Sequence, residues 1–327
     1  MSSLLTTESL PQTRRGWISL VIAGVVLVVA FVLVVRFYDA EGGINVSGGA
    51  DVPPDASGVM VQIEPLTVDA NVNTARMRLS FGPEGGELFD DQGRPTKNLR
   101  ITVANAFQGP NEFKFPAGSA MGAREVAVGM AGDTAVYPFD EHGVDLAFTA
   151  DTFTKGADGA VTSEKPVDLF LEASGGVNGW DTSVEIDPDI GVGYYASFDF
   201  ARAFSTVAFV MVILVIAGVL AFLALVTGAL VQADRRPAEA ALLSWTAALI
   251  FALPALRNYM PNAPPFGASI DMYAYLWFIV AAGAAAVLVI FGWNGQRLAE
   301  KRRIEREREH ERDLAGTPAG TGGSHAT

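Results

Sequence analysis

The fold class follows first from residues 203–231, which read AFSTVAFVMVILVIAGVLAFLALVTGALV and contain no charged side chain. A helix of about 20 apolar residues crosses the roughly 30 Å hydrocarbon core of a bilayer, so this stretch is predicted to be a transmembrane helix. Residues 17–37, 238–256 and 272–291 are also long and apolar enough to cross, the first of them apolar through Val35. The sequence therefore predicts a multi-pass membrane protein with four transmembrane helices.

Basic residues predict the orientation of these helices, because Lys and Arg in short flanks mark the cytoplasmic side. They collect before the first helix, between the second and third, and after the fourth: Arg14, Arg15, Arg235, Arg236, Arg297, Lys301, Arg302 and Arg303. Residues 1–16 and 292–327 are thus predicted to be cytoplasmic, and 38–201 and 257–271 to be extracytoplasmic, in a plasma membrane. Arg36 and Arg202, at outer helix ends, depart from the pattern.

The first apolar stretch could instead be a cleaved secretory signal. Such signals have a shorter apolar core, of about 7–15 residues, followed by a small-x-small cleavage site. Residues 36–39 here are Arg-Phe-Tyr-Asp, a poor cleavage context. We therefore expect an uncleaved membrane anchor.

The region 38–201 carries the acidity of the chain. It contains 26 Asp and Glu against nine Lys and Arg, whereas the whole chain has a net charge of −13. Such a domain stays soluble and disfavours nucleic acid and anionic lipid headgroups as partners. It could attract cations or a basic envelope partner, or the charge could serve solubility alone.

The composition argues against an enzyme. The chain has no cysteine, which excludes a thiol nucleophile, an iron–sulfur cluster and a Cys-based zinc site. Of its three histidines, His310 and His325 belong to the C-terminal tail, so only His142 lies in the exterior region. No nucleophile elbow, Walker loop or His-Glu-x-x-His motif occurs. We expect no catalytic residue, cofactor or metal; an exterior enzyme would need a carboxylate pair converging in a cleft.

Alternating short runs predict that residues 38–201 form an all-β domain. Turn-forming clusters rich in Gly, Pro and Asp separate the runs. This pattern is typical of a two-sheet antiparallel sandwich of the immunoglobulin-like kind, inserted between helices 1 and 2. The residues that share a face are Met77, Leu79 and Phe81; Leu99, Ile101 and Val103; Val144, Leu146 and Phe148; Val167, Leu169 and Leu171; Trp180, Thr182, Val184 and Ile186; and Tyr194, Ala196, Phe198 and Phe200.

Two features follow from the C-terminal third. Residues 296–313 alternate Arg and Glu, which predicts a solvated helix, and the tail from Leu314 is predicted to be disordered. Small residues between Ala281 and Ala286 suit close helix packing. That packing could occur within one chain or between copies in a homo-oligomer.

Tyr137-Pro138-Phe139-Asp140 is the most pointed motif of the β region. Its proline restricts the backbone and its aromatic rings could close the base of a sandwich, while the aspartate could cap a turn or pair with a base. We expect an ordered corner between a strand and a loop. The alternative is that this loop contacts the membrane face.

The loop 257–271 is predicted to be rigid because it holds several prolines, including Pro261 and Pro265. Arg257 ends one predicted helix and Asp271 begins the next, so the two could pair at the outer interface. Pro254, one turn earlier, should kink or end the third helix. The loop also contains Asn258 and Gly267, and a structural role is the expectation for it.

The corner motif, followed by the run 253–258, Pro261, Pro265, Gly267 and Asp271 ahead of Trp277, resembles the domain-of-unknown-function 4436 family. These are uncharacterised actinobacterial membrane proteins, many of them mycobacterial. The resemblance extends over about residues 21–289 and implies a location and an architecture but no activity. His142 stands where a second aromatic is expected after the corner, so that corner is expected to pack differently here.

The corner motif is also similar to the aromatic-Pro-Phe-Asp loop of pentameric ligand-gated channels, which lies at the base of a β-sandwich. Those channels have no helix before the sandwich, and fold does not fix function. We therefore predict a non-enzymatic membrane protein whose acidic domain binds an envelope partner or membrane complex. The alternative is a channel or transporter component that is gated or assembled through the sandwich.

Overall fold

The computed structural model describes residues 46–49, 57–105, 108–156, 161–190 and 193–316, together with single helical positions at 21, 25, 32, 35 and 36. The chain divides into two compact units, residues 1–210 and 211–327. The predicted helix 17–37 lies outside the described residues apart from those single positions, as does most of the tail beyond Leu314.

The first unit is built from twelve strands in the described part of the chain. They are β1 (Val46–Gly49), β2 (Gly58–Asp69), β3 (Thr74–Glu84), β4 (Leu99–Asn105), β5 (Gln108–Phe115), β6 (Arg124–Gly129), β7 (Ala131–Gly132), β8 (Glu141–Lys155), β9 (Val161–Pro166), β10 (Asp168–Gly175), β11 (Trp180–Ile190) and β12 (Gly193–Arg202). One sheet has the order β1-β10-β2-β3-β6. The other has the order β11-β12-β8-β4-β5, with β7 and β9 also paired to β8.

The two sheets share one buried core, as the alternating sequence predicted. In β3, β4 and β8 the residues that share the predicted faces are buried, for example Leu79, Ile101 and Leu146 at 0% exposed. Their neighbours along the strand, such as Arg78 and Asp145, point outwards because successive side chains alternate across a sheet. The β-sandwich prediction is confirmed at this level.

The sandwich is not wholly antiparallel, so that part of the fold prediction is wrong. β10 pairs with β2 in parallel, with Leu169 opposite Val59. The preceding strand β9 lies in the other sheet, and Val167 still donates its N–H to the Ala150 carbonyl of β8. The chain therefore crosses between sheets just before β10, and this crossing, unlike a hairpin, leaves β10 running in the direction of β2.

Three described helices follow the sandwich: α1 (Phe204–Gln232), α2 (Ala240–Asn258) and α3 (Leu276–Gly316), the last preceded by a π-helical turn, Asp271–Tyr275. By length and apolar composition all three could cross a membrane. The four-helix count and the insertion of the sandwich between helices 1 and 2 do not match this described structure, in which every membrane-length helix comes after the sandwich.

Within the second unit, small residues let α1 and α3 pack closely. A Cβ added to Gly228 of α1 would lie 2.8 Å from the carbonyl oxygen of Ala285, and one added to Gly292 of α3 would lie 2.9 Å from that of Val231. Such distances are shorter than side chains tolerate, so only glycine fits. Ala285 and Gly292 of α3 therefore serve packing within one chain, whereas a Cβ added to Gly283 would meet nothing within 4 Å.

A single side chain fixes the connection between α1 and α2. Gln296 of α3 accepts a hydrogen bond from the Ala238 N–H and donates to the carbonyls of Val231 and Arg236. These contacts tie the backbone of the turn between α1 and α2 to α3. Pro254 does not end α2, which continues to Asn258.

Candidate functional site

The Tyr137–Asp140 corner is an ordered element of the β domain. A 3₁₀ turn, Thr134–Val136, leads into it and is capped by Asp133, whose carboxylate accepts the Ala135 N–H at 2.8 Å. The peptide bond between Tyr137 and Pro138 is cis. Tyr137, Pro138 and Asp140 are buried while Phe139 is 66% exposed.

Asp140 forms a buried ion pair with Arg202, the last residue of β12. Arg202 Nε donates to Asp140 Oδ1 at 3.0 Å and Nη2 donates to Oδ2 at 2.9 Å. Both side chains are essentially unexposed, at 0% for Asp140 and 1% for Arg202. The planar guanidinium matches the two carboxylate oxygens, which makes this a strong and directional contact.

His142 completes the cluster from the other side of the carboxylate. Its Nε2 lies 2.9 Å from Asp140 Oδ2, and its ring meets the Trp180 ring edge-on at 5.5 Å. The Arg202 guanidinium stacks over Trp180 at 4.0 Å and lies 5.1 Å from the centre of the Tyr137 ring. His142 thus fills the place of the expected second aromatic and also binds the aspartate.

The electrostatics of the cluster keep Asp140 ionised. Burial raises the pKa of its carboxyl, but hydrogen bonds from His142 and Arg202, together with the charge of Arg202, outweigh burial and hold the pKa below its ordinary value. Because the carboxylate is fully enclosed and already saturated by its partners, it has no access to a substrate. The cluster is suited to holding the Tyr137–Asp140 corner against the end of β12 rather than to proton transfer.

The position of the Asp140–Arg202 ion pair matters because β12 continues directly into α1. Ala203 donates its N–H to the Gly179 carbonyl, and the Thr206 hydroxyl donates to the same oxygen at 3.2 Å. The corner, the start of β11 and the first turn of α1 are therefore joined at one end of the sandwich, within the first unit.

An acidic groove lies on the outer face of the second sheet at the same end. Its cavity measures about 480 Å³ and is lined by Glu141, His142, Gly143, Asp181, Ser183, Asp199, Phe200 and Ala201. Strand register places Ala201 between Glu141 and Asp181, and Asp199 between Gly143 and Ser183. Gly143, Ser183 and Ala201 add little side-chain bulk, and the three exposed carboxylates beside them suit a cationic group.

The second predicted pair, Arg257 and Asp271, also meets in the structure. Arg257 Nε donates to Asp271 Oδ1 at 2.9 Å and Nη2 to Oδ2 at 2.8 Å, with the side chains 6% and 11% exposed. Asp271 Oδ2 also accepts the Gly267 N–H at 3.0 Å. The guanidinium packs over the Phe266 ring at 4.6 Å. This pair therefore closes the loop between α2 and α3.

The remaining predicted loop residues are less enclosed. Pro265 is exposed, but its carbonyl lies 3.4 Å from Arg257 Nη2 and accepts a weak hydrogen bond. Gly267 has φ of +117°, a conformation that favours glycine. Asn258 is exposed at the end of α2, and Pro261 is half-buried.

Sequence reasoning missed Arg202, His142 and Trp180 as members of one cluster, although a signal was present. All three lie on apolar alternating faces. His142 is two residues before Val144, Trp180 is the first residue of the β11 face, and Arg202 is two residues after Phe200. A charged residue on an otherwise buried face needs a partner of opposite charge. Arg202 also departed from the expectation that basic residues flank the cytoplasmic ends of the helices.

Two family models match the chain. Residues 49–203 match the family described as Domain of unknown function (DUF4436), and residues 202–296 match a second, Domain of unknown function (DUF8686). No curated protein matches the chain. The two matches meet at the start of α1, so the loop 257–271 falls in the second family and not the first.

Proposed function

Because this chain belongs to the DUF4436 family over residues 49–203, a family without a known activity, we propose its function from its own helices and surface. It is a non-enzymatic, multi-pass plasma-membrane protein that holds an acidic β domain outside the membrane. That domain binds a basic partner in the envelope or in a membrane complex.

The proposed topology has four transmembrane helices, with residues 17–37 as the first and both termini in the cytoplasm. It rests on the three described membrane-length helices and on the basic flanks. A reporter that is active only outside the membrane should work when fused after Ser174 or Asn262 and fail after Arg236 or Gln296. Activity at Arg236 would overturn the four-helix arrangement.

The acidic groove carries the partner proposal. Its carboxylates, Glu141, Asp181 and Asp199, are exposed and lie among the small residues Gly143, Ser183 and Ala201. A Lys or Arg side chain of a partner fits such a depression, since unlike charges attract most strongly where water is partly displaced. The overall negative charge of the domain would also speed the encounter with a basic surface.

Crosslinking in intact membranes tests this proposal. The wild-type chain should recover a specific partner, and a variant with Glu141→Gln, Asp181→Asn and Asp199→Asn should lose it. The control variant Glu87→Gln, Asp91→Asn, Glu172→Gln removes the same charge from exposed positions outside the groove and should keep the partner. Recovery of the chain alone under several crosslinkers, or equal loss in both variants, contradicts groove binding.

The channel or transporter alternative makes a different demand on the helices. Buried charges in membrane helices usually mark ion or proton pathways. In the described helical residues the buried charged side chains are Arg257 and Asp271, and they neutralise each other. This pairing favours a binding protein. Currents or solute flux from reconstituted protein, absent from empty vesicles, would instead support the alternative.

A further inference from the structure

The exposed apolar side chains of the β domain are not scattered over its surface. Among the described side chains of strands β2 to β12 and their loops, the large hydrophobic residues with substantial exposure are Val72, Val136 and Phe139, at 65%, 48% and 66%. Single exposed apolar residues are common on any protein. A set that gathers at one place calls for an explanation.

Strand register places all three at the same end of the sandwich. Val72 lies in the turn between β2 and β3, where Met130 donates its N–H to the Asn73 carbonyl. The next residues after Met130 form β7, which pairs with the first residues of β8. Val136 and Phe139 lie between β7 and β8. The three side chains therefore surround the end at which β8 begins.

This is also the end from which the chain enters α1. Asp140, the neighbour of Phe139, is bonded to Arg202, which is two residues before the start of α1 at Phe204. Phe204 is itself 54% exposed. The buried ion pair thus holds the apolar corner beside the first turn of the helix.

The length of α1 gives the depth of that turn in a bilayer. Its 29 residues span about 43 Å at about 1.5 Å per residue. That matches a whole bilayer with its headgroup regions, about 40–45 Å, and exceeds the hydrocarbon core of about 30 Å. The first turn of α1 therefore lies at headgroup level, and the corner beside it lies at the same level.

We infer that Val72, Val136 and Phe139 form a membrane contact, which seats the end of the β domain in the outer lipid interface. The contact is apolar. It does not depend on anionic lipid, because the domain is strongly acidic and would be repelled by such headgroups. The inference rests on α1 crossing the membrane, as proposed above, and not on the identity of the partner.

The absence of cysteine from the chain allows a direct test with single labels. Variants Val72→Cys, Val136→Cys and Phe139→Cys carry an environment-sensitive fluorophore on the full-length protein in zwitterionic nanodiscs. Their emission should be blue-shifted, quenched by nitroxide lipids with shallow labels, and severalfold less quenched by aqueous iodide than a label at Lys155. Lys155 is exposed at the far end of β8, about 45 Å along the strand.

The controls separate this inference from the proposed topology. A label at Val215, in the middle of α1, should be quenched by deep nitroxide lipids; failure there would refute the membrane span itself. With that label quenched, iodide access at Phe139 equal to that at Lys155 would refute the contact. Protection from iodide without lipid quenching would also refute it, since a second copy or a protein partner would then cover the surface.

A substitution distinguishes apolar insertion from mere proximity. In the protein labelled at Val136, Phe139→Asp should restore iodide access, while Phe139→Leu should not. Unchanged protection in Phe139→Asp, or protection that appears only with anionic lipid, would contradict an apolar contact.

Discussion

Removing either member of the Asp140–Arg202 pair should severely destabilise the β domain. Both side chains are buried to 1% exposure or less and are joined by three charge-assisted hydrogen bonds. Stranding one buried charge costs about 3–5 kcal/mol. A domain has only about 5–15 kcal/mol of stability, so Asp140→Leu or Arg202→Met would remove a large part of it. At about 2–4 °C per kcal/mol for a domain of this size, the melting temperature should fall by about 6–20 °C.

The double variant tests whether the loss comes from the pair or from the two sites separately. With both charges replaced, apolar side chains fill the site and no buried charge is left unpaired. The remaining cost is that of the buried His142 Nε2 without its hydrogen-bond partner, about 1–3 kcal/mol. Independent effects would instead sum to about 6–10 kcal/mol. The double variant should therefore be more stable than either single one.

Hydrogen exchange of the full-length protein in detergent measures these free energies, with peptides from β8 and β12 reporting global opening of the sandwich. The exposed pair Arg78–Glu64, whose side chains are 43% and 44% exposed, is the matched control and should lose only about 0–1 kcal/mol on truncation. Two results would contradict this prediction. One is a loss of unfolding free energy in Asp140→Leu no larger than in this control, and the other is a loss in the double variant equal to the sum of the two single losses.

Three further predictions use other features of the structure. Because folding lowers the pKa of Asp140, its ionised carboxylate stabilises the fold fully above the unfolded pKa of about 3.9, and this stabilisation is lost as pH falls through the folded pKa. The free energy of unfolding measured in urea should therefore fall with pH below about 4 in the wild type, and should fall less steeply in Asp140→Asn. Arg257→Ala and Asp271→Ala should each lower the melting temperature in detergent, and the double variant should show a smaller decrease than the sum of the two single decreases. Strictly additive decreases would mean that the pair contributes nothing. Gly228→Ala should also lower it, by overpacking of about 1–3 kcal/mol, whereas Gly283→Ala, whose Cβ would meet nothing within 4 Å, should leave it unchanged or higher.

Much of the fold could be predicted because it depends on local periodicity. Alternating runs such as Met77, Leu79 and Phe81 predict which face of a strand is buried, and the structure buries that face. The strand pairing could not be predicted in the same way. No pattern in residues 161–175 indicates that β9 joins one sheet and β10 the other. The parallel pairing of β2 with β10 was therefore not predicted.

The site was predicted only in outline for a similar reason. Asp140 was singled out because it follows an aromatic-proline motif, but its ion-pair partner, Arg202, is 62 residues away in the sequence. Arg257 and Asp271 were matched correctly because a short loop joins them, and a loop of that length keeps its ends near each other.

The apolar helices, the acidity of the β domain and the buried faces of its strands could be read from the amino-acid order alone, since length, charge and period are properties of contiguous residues. The folded structure was needed to show which side chains at the ends of three strands meet, and that the exposed apolar side chains of two separate loops share one end. Those arrangements depend on strand order and on where the chain crosses between sheets, because both are set by packing the whole core and not by any single segment.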